Sequence, residues 1–283
     1  MLAKCLKYDL KSVFRFWWIG AAVVLGTACS SSAMFRLISV GFEDDFFVAM
    51  LMMLSMLAWG FSLAGFVILS ELLVYFRYYR NFFTDEGYLT FTLPVSRKTL
   101  LLSKAATAFS AFTATFLVGV LSCGIVFLGI PTNFETGSGS FVLEALFGEY
   151  GLIAGLWENL GGWVFLYGFE YVVLFLLLGL VSSLWIFFCI TLSSVLVRKY
   201  KLLVAIGMIW GSGQILSLLY YGMMFCSSFF GMGLVGFLET ADPSKTLVFV
   251  ALALFFVIAA LASILVLLWN LTLGCLERKL NLA

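Results

Sequence analysis

Acidic side chains are the main candidates for chemistry in this sequence, because it contains no histidine. Glu170 lies inside a long apolar run, where an ionisable side chain is costly and is by default a functional candidate. The acid pairs Asp44–Asp45 and Asp85–Glu86 fall in polar segments between apolar runs, and no catalytic arrangement of a Ser or Cys nucleophile with a base is recognisable. Glu170 is therefore a candidate residue of a translocation path, with a structural, hydrogen-bonded role as the alternative.

Recognisable nucleotide and metal motifs are absent from the sequence. The pattern GxxxxGK[ST] does not occur, so this chain cannot bind ATP through a P-loop. Gly231, Gly233 and Gly236 match GxGxxG, but they fall in an apolar segment without the strand that a dinucleotide site requires. The six cysteines are scattered and form no CxxC pair. We therefore expect no catalytic residues, no metal site and no cofactor in this chain, and we predict that it is not an enzyme.

Two weaker features lie in one apolar run near residue 210. Gln214 is a polar residue there and is a second translocation-path candidate, with hydrogen bonding between helices as the alternative. Gly207 and Gly211 form a GxxxG pattern, which allows close approach of helices in lipid. We predict a helix contact at this pair, although such matches also arise by chance in glycine-rich spans.

The composition predicts an all-α integral membrane protein with one transmembrane domain over residues 1–283. Of the 283 residues, 63% are hydrophobic and only 11% are charged, whereas soluble domains carry about 25% charged residues. A helix needs about 20 apolar residues to cross the hydrocarbon. Six transmembrane helices are predicted, approximately at 17–35, 46–75, 99–130, 163–195, 202–224 and 246–273.

The distribution of charge predicts the orientation of these spans. Positive residues accumulate on the cytoplasmic side of membrane proteins. If both termini are cytoplasmic, the inner segments hold 14 of the 16 basic residues: Lys4, Lys7, Lys11, Arg15, Arg77, Arg80, Arg97, Lys98, Lys104, Arg198, Lys199, Lys201, Arg278 and Lys279. Only Arg36 and Lys245 remain outside. The sequence therefore predicts cytoplasmic N- and C-termini in a multi-pass membrane protein.

Residues 1–16 have the pattern of an amphipathic helix. Lys4, Lys7, Lys11 and Arg15 fall within an arc of about 80° at helical spacing, with leucines broadly opposite. We predict an N-terminal surface helix whose basic face lies toward anionic lipid headgroups. The alternative is a simple positive flank of the first span.

Local signals predict several further boundaries. Ser96 is a plausible N-cap of the third long helix, and Pro131 ends that helix. The apolar patches 141–147 and 152–157 predict short helices on the outer surface. The short basic turn near Lys199 predicts that spans 4 and 5 are antiparallel neighbours.

The longest polar break on the basic side runs from Arg77 to Lys98, between spans 2 and 3. It contains Tyr88, Leu89, Phe91 and Leu93, and such apolar side chains need a covering surface. A partner protein, the membrane, or the inner helix ends of this chain could provide it.

This segment resembles the ABC-transporter type-2 permease family in the form common in Gram-positive bacteria. The residues that carry the resemblance are 79–83 and 85–96, continuing to 101–104, with weaker similarity at 4–9 and 277–282. The resemblance implies a cytoplasmic coupling loop that docks on a separate ATP-binding subunit. By this match the contact residues are Asp85, Glu86, Gly87, Tyr88, Leu93 and Pro94.

The resemblance further implies the permease subunit of an ATP-driven exporter in the bacterial cytoplasmic membrane. It implies a second permease subunit, identical or different, and ATP and Mg bound only by the ATPase partner. The substrate stays open among peptides, drugs and lipid-like molecules, and no nucleic acid is expected. Two alternatives stay open as well: a non-transporting sensor or immunity-type binding protein, and an ion-coupled transporter that uses Glu170.

Overall fold

The computed structural model describes residues 2–39, 46–84, 87, 92, 95–131, 139–148, 151–197, 200–215, 217–218, 221 and 243–278. Within these ranges the chain is helical apart from turns and bends, and no strand is present. The all-α prediction is confirmed for this part of the chain. The helices are α1 (Leu2–Ser39), α2 (Phe46–Phe83), α3 (Arg97–Gly129), α4 (Phe141–Phe147), α5 (Leu152–Leu160), α6 (Trp163–Leu196), α7 (Lys201–Ile215) and α8 (Pro243–Arg278).

Five of these helices, α1, α2, α3, α6 and α8, are long and apolar enough to cross a membrane. The 38 residues of α1 correspond to about 57 Å of helix, against a hydrocarbon thickness of about 30 Å. The predicted fifth span, 202–224, corresponds to the shorter apolar helix α7, and most of its last nine positions lie outside the described residues. The fold is compatible with a multi-pass membrane protein.

Two predicted boundaries are wrong. The predicted surface helix at residues 1–16 is continuous with the first span, because α1 runs without interruption from Leu2 to Ser39. No proline or glycine stands between residues 2 and 19 to end a helix there. The long polar loop is also shorter than predicted, since α2 continues through Phe83 and takes in its first seven residues.

Other boundaries follow the local signals. The Ser96 hydroxyl accepts a hydrogen bond from the Thr99 amide at 3.3 Å, which confirms Ser96 as the N-cap of α3. The helix ends at Gly129, just before Pro131. The two short helices predicted at 141–147 and 152–157 are α4 and α5. Gly161, with a φ of 53°, follows the last residue of α5 as its C-cap.

The described chain divides into two compact units. The first unit contains residues 1–77 and 106–164, and therefore α1, most of α2 and α3, and α4 and α5. Its apolar core is formed by Trp17, Ala21, Val24, Phe66 and Val118 from the three long helices. Contacts of Trp17 with Phe66 and of Thr27 with Ser62 show that α1 and α2 run in opposite directions.

The second unit contains residues 78–105 and 165–283. Trp185 of α6 donates a hydrogen bond from Nε1 to the Ser212 hydroxyl of α7 at 3.1 Å. These residues lie at equal distances on either side of the turn, so α6 and α7 are antiparallel neighbours, as predicted. Tyr167 of α6 donates a hydrogen bond to the Leu247 carbonyl of α8 at 2.6 Å, which joins the beginnings of those two helices.

Candidate functional site

The two ends of the α2–α3 loop are anchored within the second unit. On the α2 side, the Tyr78 ring stacks on Phe187 of α6, with a centroid distance of 4.0 Å and an angle of 16°. The Tyr78 hydroxyl lies 2.8 Å from the Thr191 hydroxyl of the same helix. Tyr78 is only 1% exposed. The last turn of α2 is therefore fixed to α6 by a stacked ring and a buried hydrogen bond.

The direction of this hydrogen bond follows from the partners of Thr191. The Thr191 hydroxyl donates its proton to the Phe187 carbonyl at 2.7 Å. A hydroxyl has one proton, so Thr191 accepts from Tyr78 and Tyr78 is the donor. Two aromatic neighbours complete the α2 end: Phe82 lies edge-on to Tyr78 at 5.0 Å, and Phe83 at 5.9 Å.

On the α3 side, the anchoring contact is made by the first residue of the helix. Arg97 donates a hydrogen bond from its guanidinium to the Leu276 carbonyl near the end of α8. A cation at the C-terminal end of a helix also interacts favourably with the helix dipole. One turn later Leu100 and Leu101 are buried. The first turn of α3 is therefore fixed to α8.

Lys104 and Phe82 connect the two sides of the loop to each other. Lys104 is 6% exposed, and its ammonium lies 5.9 Å from the centroid of the Phe82 ring. This geometry is that of a cation–π contact, which is stronger where both groups are shielded from water. The end of α2 and the beginning of α3 are thus packed against each other where the loop between them begins and ends.

The six predicted coupling residues are mostly outside the described part of the chain. Only Gly87 is described; Asp85, Glu86, Tyr88, Leu93 and Pro94 are not. The Gly87 amide donates to the Thr84 carbonyl at 2.7 Å, as expected for a turn directly after α2. A Cβ atom at Gly87 would lie 2.6 Å from the Phe82 carbonyl oxygen. Glycine is therefore required here, because the chain passes close to the end of α2.

Glu170 lies on α6, three residues after Tyr167. Its Oε2 atom is buried and has no hydrogen-bond partner among the described residues. A buried carboxylate oxygen without a donor is costly in an apolar medium. One carboxylate oxygen of Glu170 is therefore unsatisfied within a span-length helix.

The remaining predicted residues lie on α7. Gln214 is exposed, and so is Gly207, while Gly211 is half-buried. A Cβ atom at either glycine would meet no described atom within 4 Å. The GxxxG pattern is therefore not used for a contact with the described helices of this chain. A contact with a second subunit stays a prediction.

Two pairs of side chains that interact in the structure were not predicted from the sequence. Tyr78 and Thr191 are far apart in the chain, and only their position near the polar ends of apolar runs could have indicated them. In the first unit, Asp9 of α1 pairs with Arg77 of α2, with Oδ1 and Nε 3.6 Å apart. Asp9 is buried on the face of α1 opposite the lysines, where an acid needs a basic partner.

Among the described residues, no group of three or more Cys, Asp or Glu side chains is arranged to hold a metal ion. Comparison with protein-family models, with curated proteins and with solved structures finds no match for this chain.

Proposed function

We propose that this chain is the membrane-spanning permease subunit of an ATP-driven ABC exporter, working with a separate ATP-binding subunit. In this proposal the chain has six spans, with α7 as the core of the fifth, and both termini are cytoplasmic. The ATPase binds the loop between α2 and α3 in the bacterial cytoplasmic membrane. The resemblance of residues 79–96 to the type-2 permeases motivates the proposal.

The observation that carries the proposal is the anchoring of both loop ends. A loop that transmits force must be fixed to the elements it moves. The α2 end is held to α6 through Tyr78 and Thr191, and the α3 end to α8 through Arg97. A displacement of the loop by an ATPase would therefore move α6 and α8 together with α2 and α3. These contacts are what a coupling loop requires, and they support the proposal on that ground.

The experiment is mass spectrometry of the complex purified from its native membrane in mild detergent. The expected result is a stoichiometric subunit that contains a P-loop, with one or two kinds of permease chain. A preparation that preserves other membrane complexes but contains no ATPase would contradict the proposal. The same spectrum distinguishes a homodimer from a heterodimer by mass.

A second candidate function, ion-coupled transport, is favoured by one observation, the unpartnered oxygen of Glu170. Acidic residues within membrane spans commonly mark ion and proton pathways. Proton flux into ATP-free proteoliposomes would test it. Flux that is lost in Glu170→Gln and kept in Tyr88→Ala/Leu93→Ala would favour ion coupling over the ATP-driven function.

A further inference from the structure

Four basic side chains form an exposed stripe along the first four turns of α1. Lys4, Lys7, Lys11 and Arg15 are all exposed, and they follow one another at helical spacing of three or four residues. This set is called the basic stripe. Successive members from Lys7 onward are separated by about 6 Å along the helix axis. The stripe is therefore a continuous positive surface, not a set of isolated charges.

The stripe is not neutralised by the acid on its own helix. Asp9 lies on the opposite face of α1, is buried, and pairs with Arg77 of α2. No ion pair joins a member of the stripe to an acid in the described part of the chain. Asp9 thus pairs inside the first unit, whereas the four cations of the basic stripe are exposed on the opposite face of α1.

Because the stripe and the first span form one continuous helix, the position of the stripe along the membrane normal follows from the position of the span. Trp18 follows Arg15 on the same face and is 67% exposed, and Phe16 is 55% exposed. Exposed aromatic residues at this point of a span are typical of the boundary between hydrocarbon and headgroups. If Trp18 marks this boundary, Arg15 and Lys11 lie within the headgroup layer, at the depth of the lipid phosphates. Lys7 and Lys4 stand one to two turns farther out.

We infer that the basic stripe is a binding surface for anionic phospholipid headgroups, with Lys11 and Arg15 contacting the phosphates. This role differs from that of a helix that lies flat on the membrane surface. Because the stripe belongs to the same helix as the first span, it does not attach the protein to the membrane. It instead selects the lipids that surround α1. Each basic residue near an anionic surface contributes about fivefold to such binding. This inference is independent of the proposed transport function.

The test is photocrosslinking of the full chain in nanodiscs of phosphatidylcholine that contain a minor fraction of phosphatidylglycerol with a photoreactive headgroup. Mass spectrometry then locates the lipid adducts. The expected result is a concentration of adducts on residues 4–18. Replacement of two cations in Lys11→Gln/Arg15→Gln should lower the adduct yield on α1 at least ~10-fold. The matched control Lys98→Gln/Lys201→Gln removes the same charge elsewhere and should leave that yield unchanged.

The charge-preserving variant Lys11→Arg/Arg15→Lys should crosslink as the original chain does. If the neutral variant does not assemble, the original chain still tests the inference. Its adduct yield on α1 must fall as ionic strength rises, because salt screens exposed charges. Unchanged yield in Lys11→Gln/Arg15→Gln, or a salt-independent yield, would overturn the inference.

Discussion

Tyr78 makes two contacts with α6 that can be separated by mutation. The hydroxyl donates to Thr191, and the ring stacks on Phe187. Tyr78→Phe removes only the hydrogen bond, and Thr191 keeps its own bond to the Phe187 carbonyl. We expect a small loss in the free energy of unfolding, about 0.6 kcal/mol, as for other hydrogen bonds between membrane helices.

Tyr78→Ala is the matched comparison, because it also removes the buried ring. Truncation of a buried aromatic side chain costs about 3 kcal/mol or more. Thermal unfolding of the two variants in the same detergent measures the difference. Equal stabilities would mean that the ring contributes nothing to the anchoring of α2, which would contradict the packing described at Phe187.

At the scale of elements, Thr115 of α3 joins three helices in the first unit. Its hydroxyl accepts a hydrogen bond from Trp17 Nε1 of α1 at 2.9 Å and lies 2.8 Å from the Ser70 hydroxyl of α2. Thr115→Val keeps the shape but leaves the Trp17 N–H and the Ser70 hydroxyl without this partner. We expect a loss of about 2 kcal/mol in the free energy of unfolding. Thr115→Ser, which keeps the hydroxyl and loses one methyl group, should lose about 1 kcal/mol.

The measurement is again unfolding in detergent, followed by the fluorescence of the tryptophans. The serine variant must be the more stable of the two. If the valine variant is as stable as the serine variant, the three-helix hydrogen-bond network does not contribute to stability.

The close approach of α1 and α3 gives a second prediction for the same unit. A Cβ atom at Gly129 would lie 2.6 Å from the backbone oxygen of Ser32. Backbone atoms cannot move aside, so Gly129→Ala should destabilise the protein by about 1–3 kcal/mol through overpacking. Gly124→Ala on the same helix is the control, because a Cβ atom there meets no described atom within 4 Å.

Gly124→Ala should be neutral or slightly stabilising, since alanine favours helix more than glycine does. The midpoints of thermal unfolding of the two alanine variants, each compared with that of the original chain, test both expectations. Similar midpoints for the two alanine variants would show that α1 and α3 are not in backbone contact at Gly129.

At the scale of the whole molecule, the elements could be predicted from the sequence, but most of the contacts could not. The apolar runs, Ser96 and Pro131 determine where helices begin and end, because capping and proline effects are local. The continuity of α1 was only the alternative interpretation, because a helical pattern of charges does not tell a surface helix from the extension of a span. The pairs Tyr78–Thr191 and Asp9–Arg77 were missed because periodicity indicates the face of a helix and not its partner.

The predicted coupling loop gives the last prediction, which concerns the proposed assembly with an ATPase rather than this chain alone. Tyr88 and Leu93 are the apolar residues of the predicted contact. Burial of each such side chain in a partner's cleft contributes about 1.5–3 kcal/mol. Tyr88→Ala/Leu93→Ala should therefore weaken ATPase association at least ~100-fold, measured by co-purification at decreasing concentration. The control Leu218→Ala/Tyr221→Ala removes the same residue types at exposed positions of the chain. This control variant should retain the ATPase.

In the loop variant Tyr88→Ala/Leu93→Ala the anchors of the loop are untouched, so the midpoint of thermal unfolding of the isolated chain should not change. Association kept in the loop variant would exclude these side chains from the contact, and a lowered midpoint would instead indicate that they pack against the inner helix ends of the chain itself.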